Sequence, residues 1–243
     1  MSDEIRSIFN RIAPVYDQLN DWLSLGQHRV WKEMTVKWSQ AKLGDICLDL
    51  CCGSGDLTFR LWQHVKENQG KVRGENQLEN QGKVYGVDFS PELLEVAQKR
   101  SQQHYPVPEI SWIEADVLNL PFEDNTFDAG TMGYGLRNVT NISRSLQEIH
   151  RVLKPGARAA ILDFHRPQSS WMRVFQEWYL DNLVVPMAQR MELKEEYAYI
   201  SPSLDRFPTG TQQVELSLQA GFPQATHYPI ANGMMGVLVV EKL

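Results

Sequence analysis

Apolar residues fall at two different periods along this chain, and the change of period divides it. Over the first 40 residues they recur at helical spacing. Ile5, Ile8, Phe9 and Ile12 make a first run, interrupted at Pro14. Val30, Trp31, Met34 and Trp38 then share one face of a helix expected over Gln27–Trp38. This opening segment (1–40) reads as a helical cap, either packed on a core or closed over a site as a lid.

From Asp45 short apolar runs alternate with helical stretches. The runs at 45–50 (DICLDL), 83–89 (KVYGVDF), 109–115 (EISWIEA), 126–132 (TFDAGTM) and 158–164 (RAAILDF) predict five strands. A helix is expected from about Asp56. Ser90 caps another, with Pro91 at its first position and Glu92 in its first turn. Ile142, Leu146, Ile149 and Leu153 form a helical stripe closed by Pro155-Gly156. Alternation of this kind predicts an α/β fold with a doubly wound, mostly parallel Rossmann-like sheet. The end departs from it. Two strands around Ala231-Asn232-Gly233 predict a C-terminal antiparallel hairpin, which two symmetric mononucleotide-binding halves would not give.

One domain over 1–243 is expected, with the cap at 1–40 and a cofactor-binding core at 45–164. A helical cover on the acceptor side (165–215) and the hairpin (216–243) complete it. The stretch ENQGKV occurs at 67–72 and again at 79–84 and reads as a duplicated surface loop. Residues 169–187 are unusually apolar. Trp171, Val174 or Phe175, and Trp178 share a face that Tyr179, Leu183 and Val184 extend. A core helix, a wall for a long lipid tail and a membrane-touching patch are all open readings.

Composition narrows the function. The net charge of −6, from 24 basic and 30 acidic groups, argues against a nucleic-acid partner. No early apolar run follows a basic start, so no secretory signal is expected, and no stretch is apolar enough to span a bilayer. Cys47, Cys51 and Cys52 lie within six positions, which suits a reducing, cytoplasmic setting rather than a disulfide framework.

The richest stretch is 48–58, LDLCCGSGDLT. In open α/β sheets ligands bind at the carboxyl ends of the strands near the switch in strand order, and this turn follows the first strand. Gly53 and Gly55 let a ligand approach the backbone. By itself the turn serves a nicotinamide or another adenosine cofactor equally well. The third glycine of a dinucleotide turn falls near Thr58 and is missing. Asp49 and Asp56 would repel a pyrophosphate and suit an ammonium or sulfonium. Asp88 ends the second strand and can take two ribose hydroxyls. It lies 33 positions after Gly55, or about 21 once the duplication is removed, close to the ~20 of that pattern. Asp116 can accept from an adenine amino group, and Val117 can offer its amide to a ring nitrogen. No CxxC spacing exists, so the cysteines read as packing residues and no metal is expected.

These residues resemble the S-adenosylmethionine-dependent methyltransferases of class I, and more closely the quinone-biosynthesis C-methyltransferases of the ubiquinone and menaquinone type. The resemblance rests on 8–20 (IFNRIAPVYDQLN), 24–32 (SLGQHRVWK), 48–58, 86–90 (GVDFS), 115–128 (ADVLNLPFEDNTFD), 135–139 (GLRNV), 151–156 (RVLKPG) and 206–208 (RFP). The Cys-Cys form of the turn looks like the plant and cyanobacterial branch that methylates 2-phytyl-1,4-naphthoquinone to phylloquinone. Cys51 stands where most relatives have a glycine, so its side chain must point away from the cofactor. Ala157 replaces a usual glycine, and His165 a small hydroxyl residue.

The resemblance implies S-adenosyl-L-methionine as cofactor, leaving as S-adenosylhomocysteine, with Gly133 also in its site. It implies a prenylated naphthoquinol substrate and a transient contact with a membrane surface, peripheral at the thylakoid in that branch. A homodimer is allowed. A quinone ring is too electron-poor to attack a methyl group, whereas an ionised quinol is enolate-like, so the quinol is the expected acceptor. Arg137 and Asn138 are implied to line the acceptor site. Arg137 cannot be a free base and is assigned to stabilising the phenolate. Tyr16, His28 and His165 are further proton-transfer candidates, and 195–210 is the expected acceptor-side cover. A nicotinamide oxidoreductase and a non-catalytic binding protein of the same fold are the competing classes.

Overall fold

A computed structural model describes residues 26–66, 82–104, 107–186 and 200–243. The expected helix through Ile5 and Ile12, Tyr16, residues 67–81 of the duplicated stretch and residues 195–199 of the expected cover lie outside them.

Seven strands form one sheet: β1 (Ile46–Leu50), β2 (Lys83–Asp88), β3 (Ile110–Glu114), β4 (Phe127–Gly133), β5 (Leu153–Phe164), β6 (Gln224–Ile230) and β7 (Met235–Glu241), in the order β3-β2-β1-β4-β5-β7-β6. The first five run parallel, and β7 is antiparallel to both β5 and β6. Among the helices are α1 (Gln27–Trp38), α2 (Asp56–Lys66), α3 (Pro91–Ser101), α4 (Ile142–Val152), α5 (Ser170–Tyr179), α6 (Ile200–Arg206) and α7 (Gly210–Gln219). The doubly wound α/β expectation and the terminal hairpin both hold.

The central strands β1, β4, β5 and β7 are largely buried on both faces, which is why they read as apolar runs, whereas the outer strands β3 and β6 are only half-buried or exposed. Cys47, Leu48, Asp49 and Leu50 are all buried. Leu48, Leu50, Met132, Leu146, Ile149 and Phe222 belong to one core cluster. At the hairpin, Ala231, Asn232 and Gly233 all take positive φ, the backbone that asparagine and glycine tolerate best.

Three expectations need correction. The stripe on α4 ends at Val152, and Leu153 already begins β5 opposite Phe127, so Pro155-Gly156 lies in the strand instead of closing the helix. On α1 the buried residues are His28, Lys32, Thr35 and Val36, while Val30 is 60% exposed. Trp31 and Trp38 still pack, half-buried, against the cluster around Tyr134 and Leu162. The inward face is polar because Lys32 pairs with Asp56. On α5 only Met172 and Gln176 are buried. Trp171 (68%), Val174 (65%) and Trp178 (52%) stand in solvent, so the reading of this segment as a core helix does not hold.

Candidate functional site

From β1 the chain winds outward through β2 and β3, then returns to place β4 on the other side of β1. Loops leaving β1 and β4 therefore diverge, and a crevice opens at the carboxyl ends of the strands. A cleft of about 640 Å³, open mouth included, lies there. Of the expected residues, Asp49, Gly53, Asp88, Gly133 and Asn138 line it. Lys32, Cys51, Cys52, Asp56, Tyr134 and Gly135 line it too.

The turn after β1 alternates hand. Cys51, Gly53 and Gly55 have φ of 51°, 55° and 87°. Gly53 donates its amide to Asp88 Oδ2 at 2.8 Å, and Cys52 donates to the Val87 carbonyl at 3.0 Å. A Cβ on Gly53 would meet nothing within 4 Å, so its open face is available to a ligand. Gly55 differs. A Cβ there would lie 2.6 Å from Trp112 Cη2, so this glycine makes room for an indole and does not line the cleft.

The carboxylates divide by how they are neutralised. Asp56 accepts from Lys32 Nζ at 2.5 Å, with Arg60 and Arg100 at 4.0 and 3.8 Å. Although burial opposes it, this cation cluster holds the Asp56 carboxyl below its usual range. Asp49 is fully buried and accepts from two hydroxyls, Thr58 Oγ1 at 2.5 Å and Thr131 Oγ1 at 2.8 Å. Burial pushes its carboxyl up to about 7. Asp88 accepts from the Gly53 and Ser90 amides, and burial raises it to about 6. Thr58 thus serves beneath the cleft, holding Asp49.

At the end of β4, Tyr134 takes a φ of 60° and lines the cleft, with Lys32 Nζ 5.7 Å from its ring centre. Its carbonyl accepts from Asn138 Nδ2 at 3.2 Å and from Arg137 Nη1 at 3.0 Å. The buried Oδ1 of Asn138 has no hydrogen-bond partner among the described residues. Arg137 is not among the cleft-lining residues. Its guanidinium is bound to Asp163 Oδ1 at 2.5 Å, and its amide to Asp163 Oδ2 at 3.0 Å. In this arrangement it braces the turn, and the expected approach to a phenolate does not appear.

Other expected residues stand apart. Asp116 accepts from the Leu118 amide in a tight turn after β3, and Val117 is in the core; neither lines the cleft. His28 is buried on α1, one turn before Lys32, and also lies off the cleft. His165 Nε2 lies 3.0 Å from His227 Nε2, and burial, aided by His227, drops its pKa to about 3, far too low for an effective base near neutrality.

The cysteines behave as the spacing predicts. All three are free, and burial pushes each thiol well above its ordinary value. Cys51 packs toward Gly135 and Cys52 toward Gly86. Lys32 and Tyr134 were not singled out from the sequence. A lysine inside an otherwise helical apolar segment, and a tyrosine between two glycines after a strand, were the available signals. Among the described residues no group of three potential ligands could hold a metal, and no helix is long and apolar enough to cross a membrane.

Comparison with known proteins adds to this geometry. The profile of the ubiE/COQ5 methyltransferase family matches residues 1–242. A 2-phytyl-1,4-naphtoquinone methyltransferase of Trichormus variabilis is 67% identical over 242 residues, covering 100% of both chains. The chloroplastic 2-phytyl-1,4-beta-naphthoquinone methyltransferase of Arabidopsis thaliana is 50% identical over 99% of this chain and 88% of its own. Among solved structures, a SAM dependent methyltransferase from Aquifex aeolicus has a TM-score of 0.60 at 18% identity, over 86% of this chain and 88% of that one. A SAM-dependent methyltransferase from Thermotoga maritima gives 0.62 at 17% identity, over 98% of this chain and 100% of that one. The solved structures are alike in fold, that of the class I enzymes.

Proposed function

The chain belongs to the ubiE/COQ5 methyltransferase family, and we propose that it moves a methyl group from S-adenosylmethionine to a ring carbon of 2-phytyl-1,4-naphthoquinol, forming phylloquinone (vitamin K1) in its reduced state. The observation that carries this reading is the 67% identity, without truncation of either chain, to a methyltransferase named for that naphthoquinone.

The cleft fits the cofactor. Bound S-adenosylmethionine supplies an electrophilic methyl group on a sulfonium. Gly53 offers an open backbone face to it. Asp88 keeps lone pairs for the ribose hydroxyls beyond those used by two amides. Lys32 is the one cation among the described lining residues and would hold the α-carboxylate. Asp49, with hydroxyl donors and no ion-pair partner among the described residues, would face the ammonium.

On the acceptor side, the buried Asn138 Oδ1 wants a donor. A quinol hydroxyl satisfies it, while a quinone carbonyl brings a second acceptor and leaves both unpaired. That favours the quinol, in agreement with the electronic argument. Asn138 would orient the hydroxyl, and Arg137, through Tyr134 and the Asn138 turn, would hold Asn138 in place. The phytyl tail resides in a bilayer, so the protein would meet a membrane peripherally, and the exposed face of α5 supplies apolar area for that encounter.

A labelled-methyl assay on phytyl-naphthoquinone with and without reductant tests the reading. Turnover is expected with reductant. Equal turnover of the oxidised form sinks the quinol step. No labelling in either arm, or preference for a prenylated benzoquinol, sinks the substrate.

A further inference from the structure

The turn after β1 holds one residue, Cys51, in an unfavourable conformation. Three of its five residues, 51–55, have positive φ, and one of them is a cysteine. Such backbone persists where the surroundings over-determine it. Two anchors come from the end of β2: the Val87 carbonyl holds Cys52, and Asp88 holds Gly53. A third comes from the far end of the next helix. Arg100, in the last turn of α3, donates from Nη1 to the Ser54 carbonyl at 2.9 Å and to Ser54 Oγ at 3.0 Å. Its Nη2 lies 3.8 Å from Asp56 Oδ1, and its guanidinium carbon 5.3 Å from the Phe59 ring centre. Arg100 does not line the cleft, whereas Gly53, Ser54 and Asp56 all do.

We propose that Arg100 is a positioning residue for the cofactor: it fixes the Ser54 peptide and so holds the Gly53 face and Asp56 where the donor must bind. This rests on the reading of the cleft as the S-adenosylmethionine site. A planar guanidinium suits the task. It reaches a carbonyl, a hydroxyl and a carboxylate while stacking on a ring, which one ammonium cannot do. Through α3, which Ser90 caps two residues after Asp88, the ribose carboxylate and the glycine turn are tied into one unit.

The experiment titrates wild type, Arg100→Ala and Arg100→Lys with S-adenosylmethionine by calorimetry and measures KM and kcat for each. For Arg100→Ala, Kd and KM are expected to rise about tenfold, the loss of charge-assisted bonds, with kcat at saturating cofactor changed by less than about twofold. Arg100→Lys should fall between, and ethylguanidinium should restore affinity to Arg100→Ala. If Arg100→Ala does not fold, Arg100→Lys carries the same test. Affinity within about twofold of wild type in the folded variants overturns the proposal, as does a fall in kcat at unchanged KM. Wild type that binds no cofactor overturns the site reading beneath it as well.

Discussion

Gly135→Ala probes the packing under the cleft. Gly135 has φ −98° and ψ −41°, which alanine adopts freely, so its cost is steric. The new Cβ would stand 2.6 Å from Cys51 Cβ and 2.8 Å from its Sγ, with Met132 Cγ at 3.3 Å. Overpacking of this kind costs about 1–3 kcal/mol. Cys51 is itself in the left-handed region, at φ 51°, where a side chain costs about 1–2 kcal/mol. Cys51→Gly removes that strain. It also loses about 1 kcal/mol of burial and frees the unfolded chain by about 0.5–1 kcal/mol. These effects offset, so the single variant should lie within about 1 kcal/mol of wild type. In Cys51→Gly/Gly135→Ala the new methyl takes the space the thiol leaves. A coupling of about 2 kcal/mol should then appear between the two sites. Urea unfolding of all four proteins measures it, read as a shift in midpoint at constant m. If the single effects add to within about 0.5 kcal/mol, the two residues do not share one volume and the account of Cys51 is wrong.

The carboxyls make binding and stability respond oppositely to pH. Asp49 and Asp88 hold their protons to about 7 and about 6 in the folded chain, against 3.8 for an ordinary aspartate. Between about pH 4 and 7 the folded state thus binds more protons than the unfolded one, and their contribution to cofactor-free stability falls as pH rises. A cationic ligand favours the ionised form, so cofactor affinity should strengthen over the same window; a Kd that is flat from about pH 5.5 to 8 contradicts this. Comparison of melting profiles with Asp49→Asn isolates the stability part. Lys32→Met should weaken S-adenosylmethionine about ten- to hundredfold and leave affinity for its decarboxylated analogue unchanged, as calorimetry can determine; equal losses for both ligands remove Lys32 from the carboxylate.

The central strands were legible because burial on both faces writes itself into sequence as apolar runs, and β1, β2, β4 and β5 announce themselves in this way; β3, half-buried at the sheet edge, was legible from its isoleucines and tryptophan. Asp49 and Asp88 were legible for a related reason: a charge at the end of such a run has no packing role to explain it. What periodicity could not convey is which face of α1 turns inward. The apolar face of a helix is assigned by assuming the core lies under it, but α1 covers a cleft, and Lys32, next to Trp31, is bound to Asp56. Gly55 misleads in the opposite sense. It matches a ligand-approach position in the chain, yet its vacancy is filled by Trp112, a residue 57 positions later that no local pattern connects to it. Arg137 likewise sits in the expected motif, and only the partner on β5, Asp163, reveals that its charge is engaged.

The same pairings decide between the competing adenosine cofactors more firmly than the count of glycines does. A dinucleotide brings two negative phosphates to the turn after β1. Here that position already holds two acids, and Lys32, the one cation among the described lining residues, is taken by Asp56 at 2.5 Å. Asp49 is left with the hydroxyls of Thr58 and Thr131, which stabilise an anion without neutralising it, and burial raises its carboxyl to about 7. A pyrophosphate would drive that carboxyl higher still and would lose binding energy in doing so. A ligand with an ammonium and a sulfonium reverses the sign. It supplies the positive charge that Asp49 lacks, while its single carboxylate needs only what Lys32 can share. Asp49 and Asp88 are therefore the cleft acids without an ion-pair partner among the described residues, and a methyl donor carried on sulfur would bring the positive charge that favours their ionised forms.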